Sequence, residues 1–358
     1  MTTLLDFKSY PLWIDIMVFA LSAGAVWFAG TRVSRYADTI SRQTGIGQAM
    51  IGLVLLGGIT SLPEIAVTVS SALAGNAALA VNNLLGGMAM QVTILAVADA
   101  TASREALTSV VADPVVLVQG ALDILLLALV VSVITVGEIP FLGIGAGAWA
   151  ILAFSLASFW IVVTSQGRHR WHTDETDGHR RDTGNRQEPQ AGRWMGLNDR
   201  ESSLGRTTVK TIAAGATILV AGFLLSRTGE AIATKTGLGS SFVGAVFLAI
   251  STSLPEASSV LSAVQLRRYD MAVSEVFGAN LFHVGLVSVV DAVYAGGPVL
   301  NEVGRFSAVA ALLGIIVTTL YIAGLVERRD RTILGMGVDS LAVLGAYLGG
   351  LILLYQLR

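Results

Sequence analysis

Cysteine is absent from this chain. Disulfides, thiol catalysis and cysteine-based metal sites are therefore excluded. Charge is sparse as well: Asp, Glu, Lys and Arg make up 13% of the residues, against about a quarter in a soluble domain. There is no His-Glu-x-x-His pattern, no Ser–His pairing and no phosphate-binding loop. Gly335-Met336-Gly337-Val338-Asp339 is one residue too long for the Gly-x-Gly-Asp turn of an intramembrane aspartyl protease. An enzymatic role is not expected. The net charge of −2 carries no nucleic-acid signal, and neither a nucleic-acid partner nor a cofactor is expected.

Apolar length is what the chain has. Hydrophobic residues are 53% of the 358 positions and mean hydropathy is +0.69. A bilayer is crossed by about 20 apolar residues. Ten such spans are expected, at roughly 12–30, 46–73, 77–99, 111–135, 139–164, 208–227, 239–266, 270–295, 304–326 and 335–357. The first is read as a transmembrane helix, not a cleaved signal, because Asp6 and Lys8 precede a run of full spanning length. The 39 glycines suit close helix packing in lipid, and Gly143/Gly147 and Gly345/Gly349 read first as packing pairs. Asp15, Asp123 and Asp339 are expected at span ends, reaching the interface.

Between spans five and six lies the polar segment 165–207, with eight arginines, seven acids and three of the four histidines. Mixed charge without apolar periodicity reads as a solvated loop. It separates a first membrane unit, 1–164, from a second, 208–358. Lys and Arg concentrate on the cytoplasmic side of membrane proteins. With both termini outside and the loop inside, 18 of the 23 fall on the cytoplasmic side, leaving Lys8, Arg227, Lys235, Arg305 and Arg358 outside. Halves of five spans then begin on opposite sides, so they are inverted relative to each other.

Thr60-Ser61-Leu62-Pro63-Glu64 recurs as Thr252-Ser253-Leu254-Pro255-Glu256, 192 residues on. At that same offset, without a gap, Ser70 meets Ser262, Ala80-Val81 meets Ala272-Val273, Gly86 meets Gly278, and Asp99-Ala100 meets Asp291-Ala292. The fold class expected is therefore an all-α membrane protein of two inverted five-helix repeats, with helices 2 and 7 broken at their prolines. Inverted repeats with broken helices mark secondary transporters as a class.

Proline has no N–H and disrupts the preceding turn, which frees carbonyl oxygens. Thr60, Ser61, Thr252 and Ser253 add hydroxyls, and Glu64 and Glu256 add two charges that would balance one divalent cation. Calcium takes six to eight oxygens, which two half-sites could supply; smaller sets could hold sodium. The plainer alternative is that each glutamate only hydrogen-bonds a neighbouring helix. An acid at mid-membrane costs at least about 2.5–3.5 kcal/mol, which makes purely structural ones uncommon. Four-residue spacing places Asn83, Gly87 and Gln91 on one face of span three, and Glu275, Ala279 and His283 on one face of span eight. Small-residue packing is the alternative there.

These motifs resemble the α-repeats of the cation/calcium exchanger superfamily, the sodium/calcium exchangers. The likeness lies in detail at about 57–100 and 249–292. It implies an antiporter of an inner or plasma membrane that exchanges Ca2+ for Na+ or H+ by alternating access, with spans one and six moving past a core. It also implies Glu64 and Glu256 as central ligands. Further oxygens would come from Thr60, Thr252, Ser61, Ser253 and the backbone carbonyls of Gly57 and Ala249. Partners would be inorganic cations and the lipid bilayer. This sequence departs from the family pattern at two serines, here Gly87 and Ala279. At the next ligand positions it carries Gln91, similar to the proton/calcium branch, and His283. Weakened sodium sites, a proton as coupling ion, or a cargo other than calcium are the consequences; or His283 is turned away onto a neighbouring helix. Two alternatives stand beside calcium exchange. One is proton-coupled transport of another cation, with Glu275 and His283 as the proton path. The other is a transport-dead relative acting as sensor or scaffold.

Overall fold

The structure is a computed structural model that describes residues 6–44, 61–100, 106–111, 114–165, 204–265, 267, 269–328, 332–333 and 336–358. Gly57, Thr60, the first part of span two and most of the polar segment lie outside the described residues. The chain is an integral membrane protein, almost entirely helical. In order it forms α1 (Leu12–Thr44), α2 (Leu62–Leu73), α3 (Ala77–Asp99), α4 (Leu107–Val110), α5 (Pro114–Val136) and α6 (Ala146–Ser165). Then come α7 (Leu204–Thr236), α8 (Ser240–Phe242), a π-helical turn (Val243–Leu248), α9 (Ala249–Thr252), α10 (Leu254–Gln265), α11 (Tyr269–Val293), α12 (Val299–Glu302), α13 (Arg305–Glu327) and α14 (Val338–Gln356). Short antiparallel hairpins, Pro140–Phe141 with Ile144–Gly145 and Thr332–Ile333 with Met336–Gly337, precede α6 and α14. Eight described helices are long and apolar enough to cross a membrane, or nine if the pair 240–252 and 254–265, bent by 48°, is one span.

The 192-residue offset seen in the motifs extends to the elements. It carries the bounds of α1 onto α7, α2 onto α10, α4 onto α12, and the first hairpin onto the second. Two helices outrun their expected spans. The second copy, α7, runs past the expected end at Arg227 to Thr236. Its polar last turns are matched: Glu230 pairs with Lys8 at 2.8 Å and Arg227 at 3.6 Å, and Lys235 pairs with the buried Asp15. The Lys235 ammonium also donates to the carbonyl of Phe7 at 2.7 Å, fastening the segment before α1 to the end of α7. Asp15, in the first turn of α1, is thus buried and held in an ion pair.

The centre is α3. Buried on all sides, it is enclosed by α2, α11, α13, α14 and the π-helical turn. Asn76 caps it, accepting the Leu79 N–H at 3.0 Å, and ties it to Ser240 at 3.0 Å. Glycine decides how closely the turn at 243–248 approaches. A Cβ on Gly244 would stand 2.7 Å from the Leu79 carbonyl, and one on Gly86 would collide with the Ala245 backbone. The expected packing pairs are half realised. A Cβ on Gly147 would collide with Val133 of α5, whereas Gly345 and Gly349 meet nothing within 4 Å among the described residues and Gly143 sits at φ +91° in the hairpin turn. Leu21, Phe28, Trp160, Ile212, Leu348 and Ile352 are exposed on the outer faces, where lipid would cover them.

Candidate cation site

Both motifs start a helix. Pro63 and Pro255 stand in the first turns of α2 and α10, where a missing N–H costs nothing. The preceding helix stops at Ser253, whose N–H closes on the Ala249 carbonyl at 3.1 Å. Glu64 and Glu256 therefore occupy corresponding first-turn positions of two helices. Gly30 of α1 abuts Pro255, and Gly222 of α7, its counterpart at 192 residues, abuts Ala66 of α2. Each long helix thus leans on the motif helix of the other half.

The two glutamates come together with His283 of α11. One ligand atom from each lies within 4.8 Å of the other two, and all three side chains are buried. Two carboxylates at that distance repel strongly where water is excluded, so the pocket favours positive charge. Neither ring nitrogen of His283 has a hydrogen-bond partner among the described residues. The imidazole is not turned away onto another helix; it faces the carboxylates.

Around the trio, the hydroxyls of Ser61 and Ser253 are buried without hydrogen bonds among the described residues. A Cβ on Gly87 would lie 3.9 Å from the Ser253 Oγ, so Gly87 borders the site but brings no oxygen. Gln91, one turn on, is buried with neither amide atom bonded among the described residues. Thr252 is more committed. Its hydroxyl lies 3.4 Å from the Ala249 carbonyl and 3.5 Å from Asn83 Oδ1. The Asn83 amide in turn donates to Thr68 at 3.4 Å, and Thr68 donates to the Glu64 carbonyl. Asn83 thereby joins the two halves beside the glutamates, a role its place on the Asn83/Gly87/Gln91 stripe hinted at. Glu275 is not part of the cluster: its carboxylate accepts from Ser259 at 2.9 Å, roughly 12 Å along the helix axis from His283.

Asp123 departs from expectation. It lies fully buried in the middle of α5, faces Asn280 of α11, and follows Gln119 by one turn. Gln119 accepts the Ser274 hydroxyl at 3.0 Å. The i, i+4 spacing of Gln119 and Asp123 was the available signal of a polar stripe facing inward.

A helical membrane protein with paired glutamates from two equivalent halves is the class this geometry defines. The model of the sodium/calcium exchanger protein family matches residues 14–165 and 207–356, and the chain belongs to that family. It is 26% identical over 323 residues to CaxA of Alkalimonas amylolytica, a candidate antiporter, covering 89% of this chain and 92% of that one. It is 25% identical to the inner membrane protein YrbG of Escherichia coli strain K12, over 76% and 78% of the two chains. Among solved structures, the fold is similar to the H+/Ca2+ exchanger CAX (TM-score 0.64, 15% identity, 96% and 90% covered). It is also similar to the sodium-calcium exchanger NCX_Mj (TM-score 0.58, 16% identity, 96% and 99% covered).

Proposed function

We propose that this protein is a secondary active antiporter that exchanges Ca2+ or a related divalent cation for Na+ or H+, and that it performs no enzymatic step. The observation that carries this reading is the meeting of Glu64 and Glu256 in one buried cluster. Two negative charges there match one divalent ion. Ser61, Ser253, Thr252, Gln91 and His283 would complete its shell, together with Thr60 and the carbonyls of Gly57 and Ala249. Family membership and the exchanger relatives support the same activity.

In this reading the chain crosses the membrane ten times as two inverted repeats. Both termini lie outside, the 165–207 segment is cytoplasmic, and the host is an inner or plasma membrane. The Lys and Arg distribution and the equivalence of elements at 192 residues support it. The paired helices α1 and α7 would shift past the bundle holding α2 and α10, opening the site to each side in turn. The absence of hydroxyls at Gly87 and Ala279 favours a proton over sodium as the counter-ion.

The test is exchange in proteoliposomes. Wild-type protein should accumulate divalent cation against an imposed Na+ or H+ gradient. Glu64→Gln and Glu256→Gln should each reduce that flux to background while eluting as folded protein. Wild-type rates in both variants would remove the glutamates from the mechanism.

A further inference from the structure

The shell around the two glutamates includes a nitrogen, from His283. Calcium asks for six to eight oxygens and rarely accepts imidazole, whereas carboxylate with imidazole suits divalent ions of the first transition row. Here Gly87, which borders the site, brings no side-chain donor, and the two nitrogens of His283 are buried and unbonded among the described residues. A neutral imidazole buried without a partner forfeits the hydrogen bonds it would make in water. Within reach of both carboxylates, that loss is recovered when the ring binds a metal.

We infer that the preferred cargo is a divalent ion of the first transition row, held by Glu64, Glu256 and a ring nitrogen of His283, in preference to an alkaline-earth ion. This rests on the glutamate site proposed above and narrows what it carries. Two carboxylates neutralise the ion and the imidazole adds no charge, so the loaded site is electrically balanced in the bundle. A metal–nitrogen bond would set the selectivity, a task that oxygen number and cavity size perform in a calcium site.

His283 can be isolated, because the other histidines are His169, His172 and His179 of the polar segment. In full-length protein with those three replaced by alanine, His283 is the sole imidazole. Zn2+, Mn2+ and Ca2+ are titrated into this protein and into further variants carrying His283→Asp, His283→Gln or Glu64→Gln. Bound Mn2+ is examined by pulsed electron paramagnetic resonance for coupling to an imidazole nitrogen. The inference requires Zn2+ to bind at least about 10-fold more tightly than Ca2+. It also requires nitrogen coupling on Mn2+ that vanishes in both His283 variants, and a shift of about 10–100-fold toward Ca2+ in His283→Asp. The Gln variant covers the case in which Asp misfolds. Ca2+ binding as tightly as Zn2+, or Mn2+ bound without nitrogen coupling, would overturn the inference and leave the glutamate site standing. Binding unchanged by Glu64→Gln, or no divalent binding in any form, would overturn both.

Discussion

Asp99 accepts the backbone N–H of Gly337 at 2.7 Å across 238 residues of sequence, and its counterpart Asp291 accepts that of Gly145 at 2.5 Å. Gly145 and Gly337 are themselves 192 residues apart. Each half therefore ends its central helix in a carboxylate that grips the other half's hairpin. Each carboxylate also holds the short helix of its own half, Asp99 through the Leu107 N–H at 2.6 Å and Asp291 through that of Val299. The exchange of partners is that of two bodies related by a two-fold axis, as at an isologous interface.

If the two clamps are equivalent, Asp99→Asn and Asp291→Asn should cost similar stability. An asparagine can present its carbonyl to one N–H, but its amide nitrogen then faces the other. Hydrogen bonds to a charged acceptor are worth about 1.5–3 kcal/mol each, so each variant should melt several degrees lower in detergent. A large loss in one with none in the other would deny the equivalence.

The glycines predict the opposite, an inequality between counterparts. Gly86 packs against the Ala245 backbone, whereas a Cβ on Gly278 would find only Gln119 Nε2, at 3.8 Å. Gly86→Ala should destabilise by about 1–3 kcal/mol or more through overpacking, and Gly278→Ala should be near neutral. Thermal unfolding of the two single variants checks this; equal effects would contradict it.

Lys235 and Asp15 join α7 to α1, with Asp15 wholly buried. Lys235→Met leaves that carboxylate without its cation and should cost about 3–5 kcal/mol. The double variant Asp15→Asn/Lys235→Met should recover much of the loss. A double variant less stable than Lys235→Met would show that the pair is not what holds the ends together.

Glu138, between α5 and α6, accepts the Ala148 N–H at 3.1 Å, and burial, with Asp291 nearby, pushes its carboxyl above the ordinary 4.5. A raised carboxyl favours the proton in the folded state. Its contribution is complete below 4.5 and is lost as pH rises through the raised value. Glu138→Gln should accordingly flatten the decline in melting temperature over that rise, and an unchanged slope would exclude the residue as a source.

Much of this was legible because duplication writes itself into sequence. The Thr-Ser-Leu-Pro-Glu pair and the gapless offset located both motif helices, and the spacing of Ala279 and His283 placed His283 beside them. What escaped notice depends on partners distant in the chain. Glu230 and Lys235 fall beyond the expected span because their partners Lys8 and Asp15 lie over 200 residues away. Asp123 read as interfacial because nothing near it in sequence reveals Asn280. The π-helical turn at 243–248 has no sequence signal beyond Gly244, whose missing side chain lets it close on α3. Glu275 and His283 share a stripe, yet only His283 reaches the carboxylates; periodicity fixes a face but not which positions along it meet the neighbouring helices.

The proposed cation site is single and assembled from both halves. It is tested most directly by equilibrium binding of a divalent cation to wild type, Glu64→Gln and Glu256→Gln in parallel. One ion per chain is expected in the wild type, with a loss of at least about 10-fold in affinity for either variant alone, since removing a group that merely orients a ligand already costs about 10–100-fold. Two independent ions in the wild type, with each variant losing only its own, would contradict it.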